Sequence, residues 1–345
     1  MMAESLDSRL SSHAAGGGLA AAVAQTIREL GLAAIKVRDT IADGGSGAHL
    51  GDSHGEENAG GDIQKELDVL ADRVFLEAAQ NSPIAFYGSE EQDEAVALKA
   101  DAPLAIAIDP LDGSSNIDTN VSIGTIFSLL PVEDAHRADT SKVFLQPGSR
   151  QAAAGFFVYG PQLLLVLSLG ADSGTQAYAY QPSSGGFIEW KPALSIAPEA
   201  KEFAVNASNY RHWDPTFRAY IDDCLAGSTG PRGRDFNMRW IASLVADCYR
   251  ILLRGGVFLY PGDARKGYAK GRLRLLYEAN PIAFCVEHAG GKATDGVNRI
   301  LDIVPDGLHM RTPLVFGSTS EVESVGRYAA DPAAAARKPL ADAAP

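Results

Sequence analysis

Apolar positions along the chain follow two different periods. Val23, Ile27, Leu30, Ala34 and Val37 recur at helical spacing and predict an amphipathic helix over about 19–41, with Gly31 interrupting it. Ile63, Leu67, Leu70 and Val74 predict a second helix to about residue 79. Beyond Pro83 the apolar runs become short and nearly continuous, at 84–88, 104–109, 122–130, 155–159, 163–169, 176–180 and 186–190. Gly, Pro, Asp and Ser separate them, as expected of buried strands. Past about 200 the pattern changes again. Helical spacing at 214–226 and 238–254 alternates with strand-like runs at 257–260 and 273–277, then come helices at 281–289, stopped by Gly290-Gly291, and 319–329. The pattern predicts a mixed α/β (α+β) protein with two mixed-sheet halves, an N-terminal domain over 19–200 and a C-terminal domain over 201–330. Residues 1–18, small and polar, and the alanine-rich 331–345 are expected to be disordered tails. The polar, glycine-rich stretch from Asp43 to Gly61 has the length of a mobile lid or a disordered link.

Composition narrows the possible functions. A net charge of −13 over 345 residues leaves no basic surplus for nucleic acid. Arg265, Lys266, Lys270, Arg272 and Arg274 nevertheless crowd one segment, as an anion site would require. No apolar stretch of membrane-spanning length is expected, and the first residues lack a signal peptide's basic and apolar regions. The 3 cysteines, Cys224, Cys248 and Cys285, show no metal-ligand spacing, which suits a reducing cytoplasm.

Candidate chemistry concentrates at residues 109–116, Asp-Pro-Leu-Asp-Gly-Ser-Ser-Asn. The apolar run Leu104–Ile108 delivers Asp109 to a strand end, and Pro110 is expected to force a turn that returns Asp112 beside it. Neighbouring carboxylates repel unless a cation lies between them, and Gly113-Ser114-Ser115 offers N–H and hydroxyl groups to a phosphate. An ordinary surface turn capped by Asp109 is the plainer alternative. Further acids follow other apolar runs: Glu90-Glu91 after Tyr87, and Glu278 after Leu273–Tyr277. Asp62 reads as a helix cap or a catalytic group, and Asp68, set among Leu67, Val69 and Leu70, as the better proton carrier. Together these acids point to metal-dependent phosphate chemistry.

The segments Gly60–Leu70, Gly88–Glu91 and Gly271–Pro281, with the octapeptide, resemble the class I fructose-1,6-bisphosphatases from about residue 20 to about 330. The resemblance implies a layered αβαβα sugar-phosphatase-type fold and Mg²⁺-dependent hydrolysis of a sugar-bisphosphate 1-phosphate. Two or three Mg²⁺ per subunit are implied, with Mn²⁺ as an alternative. Carried over by position, Glu90, Asp109, Asp112, Glu278 and the Leu111 carbonyl become metal ligands, Glu91 and Asp68 activate water, and Asp62 joins the closed site. Gly113, Ser114, Ser115 and Arg274 hold the 1-phosphate, and Asn206, Asn209, Tyr260 and Arg272 the distal one. Arg239 matches a residue that reaches a neighbouring subunit's site, which implies a homo-oligomer, by analogy a homotetramer. Asn209, Trp240 and Arg272 stand where animal-type members carry Tyr, Tyr and Lys, so sedoheptulose 1,7-bisphosphate is a second candidate substrate. Pro103-Leu104 replace a nucleotide-binding Lys-Tyr pair, so weak or absent AMP inhibition is expected. The rivals are an inositol-phosphate or 3′-phosphonucleotide phosphatase, and a catalytically silent phosphosugar-binding regulator.

Overall fold

The computed structural model describes residues 4–43, 53–57 and 63–336. Helices α1 (Leu6–Ala14) and α2 (Gly18–Ala42) lead to an antiparallel pair, β1 (Ser53–Glu57) and β2 (Ile63–Lys65), and then to α3 (Glu66–Asn81). Next come β3 (Ile84–Ser89), β4 (Val96–Ala97), β5 (Leu104–Asp112), β6 (Ile123–Pro131) and the short α4 (Asp134–Ala138). Strands β7 (Ala153–Tyr159), β8 (Leu163–Ser168), β9 (Thr175–Gln181) and β10 (Gly186–Leu194) complete one 8-stranded sheet in the order β10-β9-β8-β7-β6-β5-β3-β4. Only the β3–β5 pairing in it is parallel.

The remaining elements are β11 (Glu202–Val205), α5 (Pro215–Leu225), β12 (Asn237–Met238), α6 (Leu244–Arg254), β13 (Val257–Tyr260) and β14 (Leu273–Arg274). After them come α7 (Asn280–His288), β15 (Lys292–Thr294), β16 (Arg311–Thr312), β17 (Leu314–Gly317), α8 (Thr319–Ala329) and α9 (Pro332–Ala335). A 5-stranded mixed sheet runs β12-β11-β13-β17-β15, while β14 and β16 form a separate ribbon.

Strand alternation builds three apolar layers between these elements. On β7, Phe157 joins Ile27, Leu30 and Phe75 of α2 and α3 on one face, and Phe156 and Val158 join Val245 of α6 and Ile282 of α7 on the other. On β13, Phe258 faces that second layer, while Val257 and Leu259 pack with Tyr220 of α5 and Val322 of α8. The order is therefore αβαβα. Both sheet faces are covered, which is why the central strands read as continuous apolar runs rather than alternating ones.

Several expectations change. Residues 6–14 are helical, with Leu6 and Leu10 buried, Ser5 bridging Ile188 and Arg28 paired with Asp7 at 3.1 Å. Two apolar positions suffice to dock a helix that reads as a polar tail. At the other end, α9 occupies 332–335 with Ala334 buried, and 337–345 lie outside the described residues. Helix α2 runs unbroken through Gly31 and is long and apolar enough by composition to cross a membrane, yet its Val23, Ile27, Leu30, Ala34 and Val37 are buried in the first layer. The helix expected over 238–254 begins only at Leu244, and the strand expected over 273–277 stops at Arg274.

Candidate active site

The acidic site is built on a bulge. Asp109 pairs with Ile126 and Asp112 with Gly124, so three steps on β5 oppose two on β6. In a regular strand, residues three apart face opposite sides; the extra residue cancels that and lets both carboxylates reach one site. Pro110 does not turn the chain back, because β5 continues through Asp112 and the Pro110 carbonyl accepts the Thr125 hydroxyl at 2.8 Å. Asp109 Oδ1 accepts the Leu111 N–H at 2.9 Å, while Asp112 Oδ2 accepts the Val245 N–H at 3.1 Å and the Ser243 hydroxyl at 3.4 Å. Val245 lies in the first turn of α6, whose positive end favours the Asp112 carboxylate. Beyond Asp112, Gly113 takes φ +80°, the left-handed region, and starts the turn Ser114–Asn116, in which Ser114 is half-buried and Ser115 exposed.

Glu278 arrives from the opposite half. The chain leaves β14 into a π-helical turn, Leu275–Ala279, and Glu278 Oε2 accepts the Arg274 N–H at 2.5 Å. Oxygens of Asp109, Asp112 and Glu278 lie within 4.8 Å of one another, although the three residues are only 3, 7 and 5 % exposed. Burial, then the charges of Glu90, Asp112, Glu278 and Glu91, hold the Asp109 carboxyl well above the usual range. Burial pushes Asp112 up to about 6 despite its bonds from Val245 and Ser243. Glu90, buried just past the end of β3, pairs with Arg274 at 2.9 Å. Buried acids this close resist ionising together, and a donor set of oxygens only fits a hard divalent cation.

Glu91 is half-buried at the turn after β3, and Asp68 is buried on α3. Asp62 and most of the glycine-rich loop lie outside the described residues. Sequence reasoning missed Asp72, one helical turn beyond Asp68. Its carboxylate accepts the Tyr87 hydroxyl at 2.8 Å, the Ser89 hydroxyl at 2.6 Å and the Gln92 amide at 2.6 Å, and Ser89 Oγ in turn accepts the Glu91 N–H at 3.2 Å. No local signal marked Asp72, since an acid on a helix reads as solvated until the strand beside it is known.

A second cleft opens beside this site, and Asn206, Asn209, Tyr260 and Arg272 all line it. Burial raises the Tyr260 hydroxyl pKa; Arg272 and Arg265 oppose the shift and Glu278 adds to it, so Tyr260 stands between the basic cleft and the acidic cluster. Arg272, immediately before β14, lines the cleft, while Arg274, the last residue of β14, pairs with Glu90 of the acidic site. Arg239 is not in the cleft: it is exposed beyond the edge strand β12 and donates to the Met238 carbonyl at 2.9 Å.

Two profile matches span most of the chain: "Fructose-1-6-bisphosphatase, N-terminal domain" over 9–192 and "Fructose-1-6-bisphosphatase, C-terminal domain" over 196–330. The chain belongs to the fructose-1,6-bisphosphatase family. It is 56 % identical over 333 residues to the fructose-1,6-bisphosphatase class 1 of Rhizobium meliloti, covering 96 % of this chain and 95 % of that one. With the class 1 protein of Sinorhizobium medicae it shares 57 % over 317 residues, 92 and 90 % of the two chains. Among solved structures, the Leishmania major fructose-1,6-bisphosphatase in holo form superimposes with a TM-score of 0.87 at 32 % identity, covering 96 % of this chain and all (100 %) of that one. Membership fixes the class of protein as a metal-dependent sugar phosphatase.

Proposed function

We propose that this fructose-1,6-bisphosphatase family member hydrolyses the 1-phosphate of fructose 1,6-bisphosphate, giving fructose 6-phosphate and inorganic phosphate. The reading is carried by the buried Asp109–Asp112–Glu278 cluster and, beside it, a cleft lined by Arg272, two residues before the Arg274 that pairs with Glu90. Glu90, Asp109, Asp112, Glu278 and the Leu111 carbonyl would hold Mg²⁺, two or three ions per subunit with Mn²⁺ as a substitute. Bound there, the cation would polarise the phosphoryl oxygens, lower the pKa of the attacking water and neutralise the leaving alkoxide.

The chain's own groups do the rest. Ser114, Ser115, the N–H groups after Gly113 and the Arg274 guanidinium orient the 1-phosphate. The cleft holds the distal phosphate, so the scissile bond is fixed relative to Glu91. As the water oxygen bonds to phosphorus and the bond to the sugar C1 oxygen breaks, Glu91 takes a proton from the water, with Asp68 as relay, and solvent returns one to the leaving oxygen. Asp62, which lies outside the described residues, would join the closed site, as the resemblance implies. Arg239, exposed and outside its own cleft, is available to a neighbouring subunit, which favours a homotetramer as the active form. Three buried free cysteines suit a reducing cytoplasm.

Asn209 and Arg272, in place of the Tyr and Lys of animal-type members, favour sedoheptulose 1,7-bisphosphate as a second substrate. The test is phosphate release from both bisphosphates and from inositol 1-phosphate, with and without Mg²⁺. Mg²⁺-dependent release from the bisphosphates alone supports the assignment, and their ratio ranks the substrates. Release from inositol 1-phosphate alone would overturn it, and no release at all would favour the silent regulator.

A further inference from the structure

The cleft contains a guanidinium that the distal-phosphate residues named above leave out. Arg265 lines it with Arg272, and their guanidinium carbons lie 4.3 and 5.0 Å from the centroid of the Tyr268 ring. Contact with one ring places two guanidiniums in the same cleft, which suits that cleft to an anion.

Arg265 is also oriented. Its Nε donates to Asp263 Oδ1 at 3.0 Å, its Nη2 donates to the other Asp263 oxygen, and the same Nη2 donates to Asn209 Oδ1 at 3.0 Å. Asp263 also accepts the Arg265 N–H at 2.9 Å, and those bonds hold the Asp263 carboxyl below the usual carboxylate range. Asp263 lines the cleft too, but its carboxylate is bonded to Arg265. Among the described residues, these bonds use Nε and Nη2 of Arg265 and leave the Nη1 edge of the fork for a ligand. Asn209 Oδ1 is taken by Arg265, and Asn206 Oδ1 accepts the Ser208 N–H at 3.2 Å. The N–H₂ groups of both asparagines remain as donors. Two asparagine amides and two guanidiniums supply the donors a phosphate dianion needs.

We propose that Arg265, stacked on Tyr268 beside Arg272 and aimed by Asp263 and Asn209, is a second guanidinium for the distal phosphate. In this account the Arg265–Tyr268–Arg272 stack sets the preference for doubly over singly phosphorylated sugars. The inference deepens the bisphosphatase reading and rests on it.

The test compares fructose 1,6-bisphosphate with fructose 1-phosphate, which keeps the scissile bond and lacks the distal group, in wild type, Arg265→Ala, Arg265→Lys and Tyr268→Ala. Arg265→Ala is expected to lower kcat/KM for the bisphosphate roughly 10- to 50-fold, as loss of one charge-assisted phosphate contact would. The loss should appear in KM, while kcat/KM for fructose 1-phosphate stays within about twofold, because no distal contact is there to lose. Arg265→Lys should recover part of the loss, and Tyr268→Ala should show the same substrate-selective pattern. Equal losses on both substrates, or none on the bisphosphate, would overturn the assignment while leaving the bisphosphatase reading intact. A wild-type protein inert towards the bisphosphate would overturn both.

Discussion

Asp72 Oδ1 accepts the Ser89 hydroxyl at 2.6 Å, which ties α3 to the turn that carries Glu90 and Glu91. Ser89 Oγ then accepts the Glu91 N–H, and Gln92 closes the turn on the second Asp72 oxygen. Asp68 lies four residues earlier on the same helix, so one buried carboxylate sets the register between the two groups proposed to move the proton. Asp72→Ala should lower stability by about 2–4 kcal/mol through lost charge-assisted bonds and orphaned donors. It should also lower kcat at least about tenfold by loosening Glu91. Urea unfolding and steady-state turnover measure both. Asp72→Asn, which keeps the shape and most acceptors, should lie between Asp72→Ala and wild type.

Much of this site was legible before the fold was known, and the limits have physical reasons. Leu104–Ile108 read as a buried strand because both faces of its sheet are covered, and the acids after it read as a cluster because like charges at strand ends demand a cation. The bulge at Pro110 reads as a turn in the sequence, since proline dictates its own φ but not whether the neighbouring strand continues to pair. The strand at Leu273–Tyr277 was overextended because an apolar run carries no sign of the π-helical turn that lifts Glu278 into place. Leu6 and Leu10 were too few to mark a helix, and Asp72 and Tyr268 acquire meaning only from partners distant in sequence.

Glu91→Gln removes the proposed base while keeping size and hydrogen-bonding capacity. Turnover should fall by roughly 10²- to 10⁴-fold, the range for loss of a general base. Substrate affinity, read by equilibrium binding, should change little. Near-normal turnover would refute the assignment.

The acidic cluster makes a pH-dependent prediction. Asp109 lies well above its ordinary range and Asp112 at about 6, so without metal the folded chain holds more protons than the unfolded one above about pH 4. Stability in chelator is therefore full below about pH 4 and falls as pH rises through about 6, by up to roughly 3 kcal/mol for a two-unit shift on one group. Metal binding requires these acids ionised, so Mg²⁺ should raise Tm little at pH 5 and strongly at pH 8. Thermal unfolding at both values, with EDTA or Mg²⁺, measures the difference.

Gly124 lies opposite Asp112, where a Cβ would stand 2.4 Å from the Phe157 carbonyl oxygen and 2.4 Å from a Val245 methyl. The clash pushes on α6 at Val245, the residue whose N–H bonds Asp112 Oδ2. Gly124→Ala should lower stability by about 1–3 kcal/mol and weaken Mg²⁺ activation, seen as a higher Mg²⁺ concentration at half-maximal rate.

The central claim is that Asp109, Asp112 and Glu278 form a divalent-cation site on which phosphate release depends. The most direct measurement is phosphate release from fructose 1,6-bisphosphate during Mg²⁺ titration of chelated protein, for wild type and Asp109→Asn. Chelated wild type should release no phosphate and recover on adding Mg²⁺, and a folded Asp109→Asn variant should not recover. Full release in chelator, or normal Mg²⁺ activation of Asp109→Asn, would contradict the claim.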